Sequence, residues 1–397
     1  MSQINIRKLS NENDDGSPEI IGISTFSATS FFVPPKGTTA DRPSDCEPGS
    51  IRFNTDTSNL EYFRGKTLGW SQFELVTPNL GGGTGSNTGV GARGLFMNGF
   101  NASAQQTNTI DFVTISSLGN SEDFGDSTIK TFGDASCSSR TRSFLLGGAM
   151  PAGQAKEIST NVFASKGNAT DFGDLTDNNY GNRGLADSTR GVSMGGEGPG
   201  PSAGMNLIEY FTMGTTGSAA DFGDMLNKKI GIFTANSSTR GVFGGGRIAA
   251  PETAALYNSI EFITISSLGN GTDFGDLTTA VSGVNSGNSC NSTRGMIVGG
   301  YDHPANAPSL NYFNNIQFIT IATLGNSQDF GDLTAGRSGG AHCSSPTRSV
   351  LANGLNPSMT NSIETFLITT AGNAVDFGDT TEARRTSTGS SNAHGGL

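Results

Sequence analysis

The stretch from Ile260 to Leu277, IEFITISSLGNGTDFGDL, joins two signals. Its first half is rich in β-branched and aromatic residues and stops at Gly269-Asn270, as a strand running into a turn does. Its second half carries Asp273-Phe274-Gly275, the triplet protein kinases use to hold magnesium. A kinase also needs a His-Arg-Asp catalytic loop and a Gly-rich phosphate loop. The three histidines precede Pro304, Cys343 and Gly395, so that catalytic loop is missing. Asp-Phe-Gly-Asp instead recurs, starting at Asp123, Asp171, Asp221, Asp273, Asp329 and Asp376, at intervals of 48, 50, 52, 56 and 47 residues. One copy could be a site; regular recurrence is what a repeated structure requires.

Outward from that stretch lies a second marker, an Arg followed by Gly or Ser and an apolar run toward glycines. It stands at Arg93, Arg142, Arg190, Arg240, Arg294 and Arg348. Thr239–Gly246 reads TRGVFGGG, Thr141–Gly148 reads TRSFLLGG and Thr293–Gly300 reads TRGMIVGG. Each unit therefore runs polar strand, Arg-led strand, variable loop, IEFITI-like strand, and an Asp-Phe-Gly-Asp strand or turn. Four short strands in about 50 residues, repeated six times, predict an all-β fold, a six-bladed β-propeller over residues 90–397. The first unit starts at GVGARGLFMNG without its polar strand, and the chain finishes on TTEARRTSTGSSNAHGGL, which reads as that strand. Pairing the two would close the ring and leave no open sheet edge. From the last Asp of one unit to the Arg of the next the separations are 16, 16, 16, 18 and 16.

Composition agrees. The 57 glycines among 397 residues, with only 15% charged residues, favour tight turns between short strands over long helices. A net charge of −11 without a Lys/Arg run argues against nucleic-acid binding. No apolar window is long enough to span a membrane, and the N-terminus has no apolar signal core, so no membrane insertion is expected. Gly65-Lys66-Thr67 hints at a phosphate loop, but Leu60 stands where its first Gly belongs.

The apolar run with its diglycine resembles the kelch propeller repeat, without the kelch Tyr and Trp spacing. More specifically, IEFITISSLGNGTDFGDLT with STRGMIVGG resembles repeats in virion structural and tail-fibre-like proteins of marine cyanophages and related myoviruses, over about residues 88–397. The segment FFVPPKGTTADRPSDCEPGSIRFNTDT (Phe31–Thr57) is similar to N-terminal modules of phage fibre and baseplate-associated proteins. The resemblance implies a non-enzymatic virion protein, assembled in the host cytoplasm. Residues 1–78 would join other virion proteins, with a homotrimer as one form, and a propeller would be displayed for adhesion to a host glycan or protein. A purely architectural virion role and a glycan-cleaving enzyme using loop carboxylates are the alternatives.

Within residues 1–78, Ile51, Phe53, Leu60 and Tyr62 flank NTDTSN and predict a two-stranded hairpin. Such a hairpin is marginal alone, so order through self-association or a partner is expected. Residues 79–89 read as a Gly-rich linker.

Candidate residues follow from the repeat. Two Asp three apart supply too few oxygens for calcium, and a glycosidase needs one carboxylate pair rather than six, so no metal, cofactor or catalytic residue is expected. The motif is read as structural: Asp123, Asp171, Asp221, Asp273, Asp329 and Asp376 accept turn N–H groups, while Phe124, Phe172, Phe222, Phe274, Phe330 and Phe377 fill the boundaries between units. Arg142, Arg190, Arg240, Arg294 and Arg348 are expected to bond an acidic side chain or turn carbonyls there. Length varies mostly after the diglycine, which maps insertions to one face of the ring. Its aromatic groups Tyr257, Tyr301, His303, Tyr312 and Phe313 are the candidate binding residues.

Overall fold

The computed structural model describes residues 34–57, 59–72, 92–199, 204–248, 256–302 and 311–397. The expected linker at 79–89 lies outside them. The described chain is all-β, without a helix among these residues, and divides into two compact units, 1–77 and 78–397.

The N-terminal unit corrects the two-stranded expectation. Ile51–Asn54 and Asn59–Phe63 do pair, Ile51 opposite Tyr62 and Phe53 opposite Leu60. Lys36–Gly37 adds in parallel on one side and Trp70–Gln72 antiparallel on the other, giving four strands. The alternation faces opposite to an ordinary apolar core. Arg52, Asn54 and Glu61 are buried, while Ile51 is 50% and Leu60 is 38% exposed. Glu61 is satisfied by an ion pair with Arg42 and by the Asn54 Nδ2 donor at 2.8 Å, as a buried carboxylate must be.

In the second unit the second, third and fourth repeats each become one four-stranded antiparallel sheet in chain order. Arg183–Ala186, Arg190–Met194, Leu207–Thr212 and Ala220–Asp224 form one; Phe233–Asn236, Arg240–Gly244, Ser259–Thr264 and Thr272–Asp276 form the next. The Asp-Phe-Gly-Asp segment is thus a strand at the edge of its sheet, the last of four in these repeats and of three in the fifth, Gln328–Asp332. The C-terminal strand Thr388–Ser391 pairs with Arg93–Asn101, supplying the first repeat's missing inner strand. The repeat between residues 276 and 332 departs from the others. Its Ser286–Gly287 segment pairs in parallel with Ala341 and with Thr388 and Gly389, joining neighbours into a curled ten-stranded sheet. The two extra residues in that repeat's 18-residue spacing belong to this segment, and a Cβ on Gly287 would lie 2.1 Å from the His342 carbonyl oxygen.

Three kinds of tie recur between successive repeats, not all of them at every boundary, and all three link the sixth to the first. In the first, Gly167, Gly217, Gly269, Gly325 and Gly372 donate N–H groups to the carbonyls of Phe124, Phe172, Phe222, Phe274 and Phe330, and Gly119 to Phe377, at 2.8–3.1 Å. The following Asn side chain accepts the N–H of the motif's second Asp, as Asn270 does from Asp224 and Asn120 from Asp379, both at 3.0 Å. Glycine is needed in the motif because φ is near +150° and a Cβ at Gly223 would stand 2.5 Å from the Gly269 oxygen.

In the second tie, a buried third-strand acid (Asp111, Glu209, Glu261 or Glu364), or the amide of Gln317, holds the turn leading in from the preceding repeat, whereas the second repeat has Ser159 at this position. Glu209 accepts the Thr176 N–H and hydroxyl at 2.8 Å, Glu261 pairs with Lys229 at 2.8 Å, and Asp111 takes Thr381 and Arg384 across the closure. The third tie uses the repeated Arg. Arg190, Arg240 and Arg294 donate to the carbonyls of Ile265, Ile321 and Ile368 at 2.7–2.9 Å, and Arg348 donates to Ile115 at 3.1 Å.

Candidate functional site

The second strand ends in a diglycine because two successive left-handed residues are required. Gly195 and Gly196 have φ of 63° and 98°, and Gly245 and Gly246 have 63° and 83°. Two repeats replace the first Gly by Asn98 and Asn353, at φ 53° and 63°, Asn being among the few residues that tolerate this region. The variable loops leave from here. The residue after the diglycine pairs with the residue that opens the same repeat's inner strand: Glu197 with Tyr180, Arg247 with Ile230, and Tyr301 with Ser282.

The next position closes a rim. Gly133, Gly181, Gly231, Gly283, Gly339 and Thr386 all have φ between 51° and 72° and together line one cavity of about 100 Å³. Main-chain bonds run around much of it, Gly133 to Thr386, Gly181 to Gly133 and Gly339 to Gly283. Thr386 is the exception to glycine, a β-branched residue held where such side chains are strained.

The cavity wall carries Tyr180, Tyr301, Arg183 and Arg247 besides several hydroxyls. Arg183 is 6% exposed and reaches across a repeat, Nη1 donating to the Asn182 carbonyl at 2.8 Å and Nη2 to Val284 at 3.2 Å. Burial lowers its pKa to about 10. Arg247 donates from Nε to Tyr301 Oη at 3.3 Å. Beside the rim, burial pushes the Asp134 pKa up to about 7, with Thr131 and Asn98 opposing in part. The opposite ends of the inner strands are covered by residues 391–397. There His394 Nε2 lies 2.9 Å from the Ser138 carbonyl oxygen, Ser391 Oγ donates to Ser344, and a Cβ on Gly396 would meet the Ala186 oxygen at 2.0 Å.

The sequence candidates divide sharply. The motif phenylalanines are all buried, and Phe172 stands 5.0 Å from Phe144 in its own repeat and 5.8 Å from Phe211 in the next. The expectation for the aspartates is corrected. Asp123, Asp171, Asp221, Asp273, Asp329 and Asp376 are exposed, and the Asn or Ser side chain accepts from the motif rather than the Asp. The arginines bond carbonyls rather than acids, and stack over an aromatic ring where the third strand supplies one, Arg190 over Tyr210 at 4.5 Å and Arg240 over Phe262 at 4.6 Å. Arg142, whose third-strand neighbour at that position is Thr160, makes no side-chain hydrogen bond or ring contact among the described residues.

Of the loop aromatics, Tyr301 lines the cavity and pairs with Tyr312, and Tyr257 lies under the Lys229 ammonium at 4.9 Å. Phe313 is half-buried and packs against the core cluster around Phe233 and Val281. His303 lies outside the described residues. Tyr180, Arg183 and Arg247 escaped the sequence reading. Their signal was available as departures from the repeat, since Arg183 stands where other inner strands have Ala135, Phe233 or Ala341.

Comparison with known proteins adds no relative: no protein-family model matches the chain, and no curated protein matches it.

Proposed function

We propose that residues 78–397 form a six-bladed β-propeller that serves as a non-enzymatic adhesion module of a virion, with residues 1–77 as its attachment to other virion proteins. The observation that carries the adhesion reading is an asymmetry. At one end a cavity lined by tyrosines and arginines lies beside the residues from which the variable loops leave, and at the other residues 391–397 cover the strand ends. A rigid ring that presents loops of different length around a polar mouth suits ligand display, and many copies on one particle would add weak contacts through multivalency. Attachment through the N-terminal unit is supported by its outward apolar residues Ile51, Leu60 and Leu68, the last 59% exposed.

The propeller reading is supported by the six repeats of the strand pattern and by the ties that link the sixth to the first. The homotrimer and the virion setting rest on the resemblance of the repeats and of Phe31–Thr57. Incubating purified full-length protein with host cells and with glycans tests the proposal. Saturable cell binding without reducing-sugar release is expected. Release of reducing sugar would move the protein to the glycan-cleaving alternative. Failure to bind cells, together with virions in which antibody cannot reach residues 78–397, would make it architectural.

A further inference from the structure

The mouth cavity has more hydrogen-bond donors than its own walls can use. Arg183 carries five N–H groups, of which two are bonded to carbonyls, and its buried Nε has no partner among the described residues. Ser282 Oγ and Ser387 Oγ, on the same wall, are buried and also without partners among those residues. Arg247 adds a second guanidinium, committed at Nε to Tyr301 and at Nη1 to the Ile248 carbonyl at 3.2 Å. Against this stands a chain of net charge −11 with no carboxylate among the residues lining the cavity. Buried polar groups are almost always matched, so a cluster of unmatched donors beside two guanidinium groups describes an acceptor-shaped site. No acid is in ion-pair contact with Arg183 among the described residues, the buried Asp134 beside the rim acting on it only at longer range, unlike the buried Lys229, Arg337 and Arg384, which each touch an acid.

The shape narrows the ligand. A cavity of about 100 Å³ takes a small anionic group rather than a whole sugar, and the flat fork of a guanidinium matches a planar two-oxygen anion. Tyr301 and Tyr180 on the wall offer hydroxyls and rings to a larger body behind that group. Strain at the same rim, in Thr386 at φ 51°, is a further mark of a site at which the backbone is held for something other than stability.

We propose that the rim cavity binds a carboxylate, contributed by an acidic sugar residue whose ring stands in the mouth against the tyrosines. The sugar part rests on the adhesion reading above; the carboxylate site does not. A uronic acid and a free small carboxylate share this chemistry, so both are used as probes. Full-length protein is titrated calorimetrically with glucuronate, glucose, acetate and sulfate, and the titrations are repeated with Arg247→Gln and Tyr301→Phe. Arg247 is only partly buried, and circular dichroism melting checks that each variant still folds.

Glucuronate is expected to bind, glucose not to bind, and Arg247→Gln to weaken glucuronate on the order of tenfold or more, as loss of a charged hydrogen bond does. Tyr301→Phe should weaken it less. Glucuronate and glucose binding equally, sulfate binding better than either carboxylate, or no response in a folded Arg247→Gln variant would overturn the site. Acetate binding without glucuronate would overturn the sugar assignment. Glucuronate binding in a protein that fails to attach to cells would sink adhesion while sustaining the carboxylate site.

Discussion

The residue that most clearly separates fold from function is Asp134, 1% exposed beside the rim. Its folded pKa, about 7, lies above the ordinary carboxylate value of 3.8, so ionisation is harder in the fold than in the unfolded chain. The sign follows: its effect is absent below the ordinary value, and stability falls as pH rises from there through about 7. Asp134→Asn should therefore raise the urea midpoint at pH 8 and change it little at pH 4; equal effects at both would refute the buried-charge account. Thr386 provides a second residue-scale test. Thr386→Gly removes left-handed strain at some cost in unfolded-chain entropy, and should stabilise the protein by about 1 kcal/mol in thermal melts. A destabilised variant would show that the Thr386 side chain contributes more than its strain costs.

At the scale of the element, the outer strand carries two residue types with opposite fates. Phe172 joins three rings across a repeat boundary, so Phe172→Ala should cost about 3–5 kcal/mol. Asp171 beside it is exposed, and Asp171→Ala should stay within about 0.5 kcal/mol. Chemical denaturation of the two variants tests whether the Phe, and not the Asp, carries the motif's contribution to stability; equal losses would refute that division. The same logic applies to the third strand. Glu261→Ala leaves the buried Lys229 charge unpaired and should destabilise by about 3–5 kcal/mol, whereas a surface pair would lose far less.

Across the whole molecule, closure is the property to test. Thr388–Ser391 is the inner strand of the first repeat, and Asp111 with Arg384 ties the last repeat to the first. Deleting residues 386–397 should lower the melting temperature and leave the amides of Arg93–Asn101 open to hydrogen exchange; an unchanged melt would argue for an open stack. His394 adds a pH term at the covered end. Burial lowers its pKa to about 4 from 6.5, so the folded state resists its protonation and stability should fall as pH drops below 6.5. His394→Gln should flatten that slope between pH 6.5 and 4, read from urea midpoints.

The repeat, its period and its four-strand order were determined by the sequence itself, because strand alternation, diglycine turns and their spacing are local properties of the chain. So were the special backbone positions, since Gly, or Asn98 and Asn353 in its place, marks where a left-handed φ is required. Tertiary structure alone decided which way side chains point and which repeats they join. A one-residue change of phase exchanges the two faces of a strand, so Ile51 and Leu60 face outward while Glu61 is buried. The rim cavity was equally out of reach. Its walls combine residues from Gly133 to Ser387, far apart in sequence, and it forms only when six strand openings meet around one point.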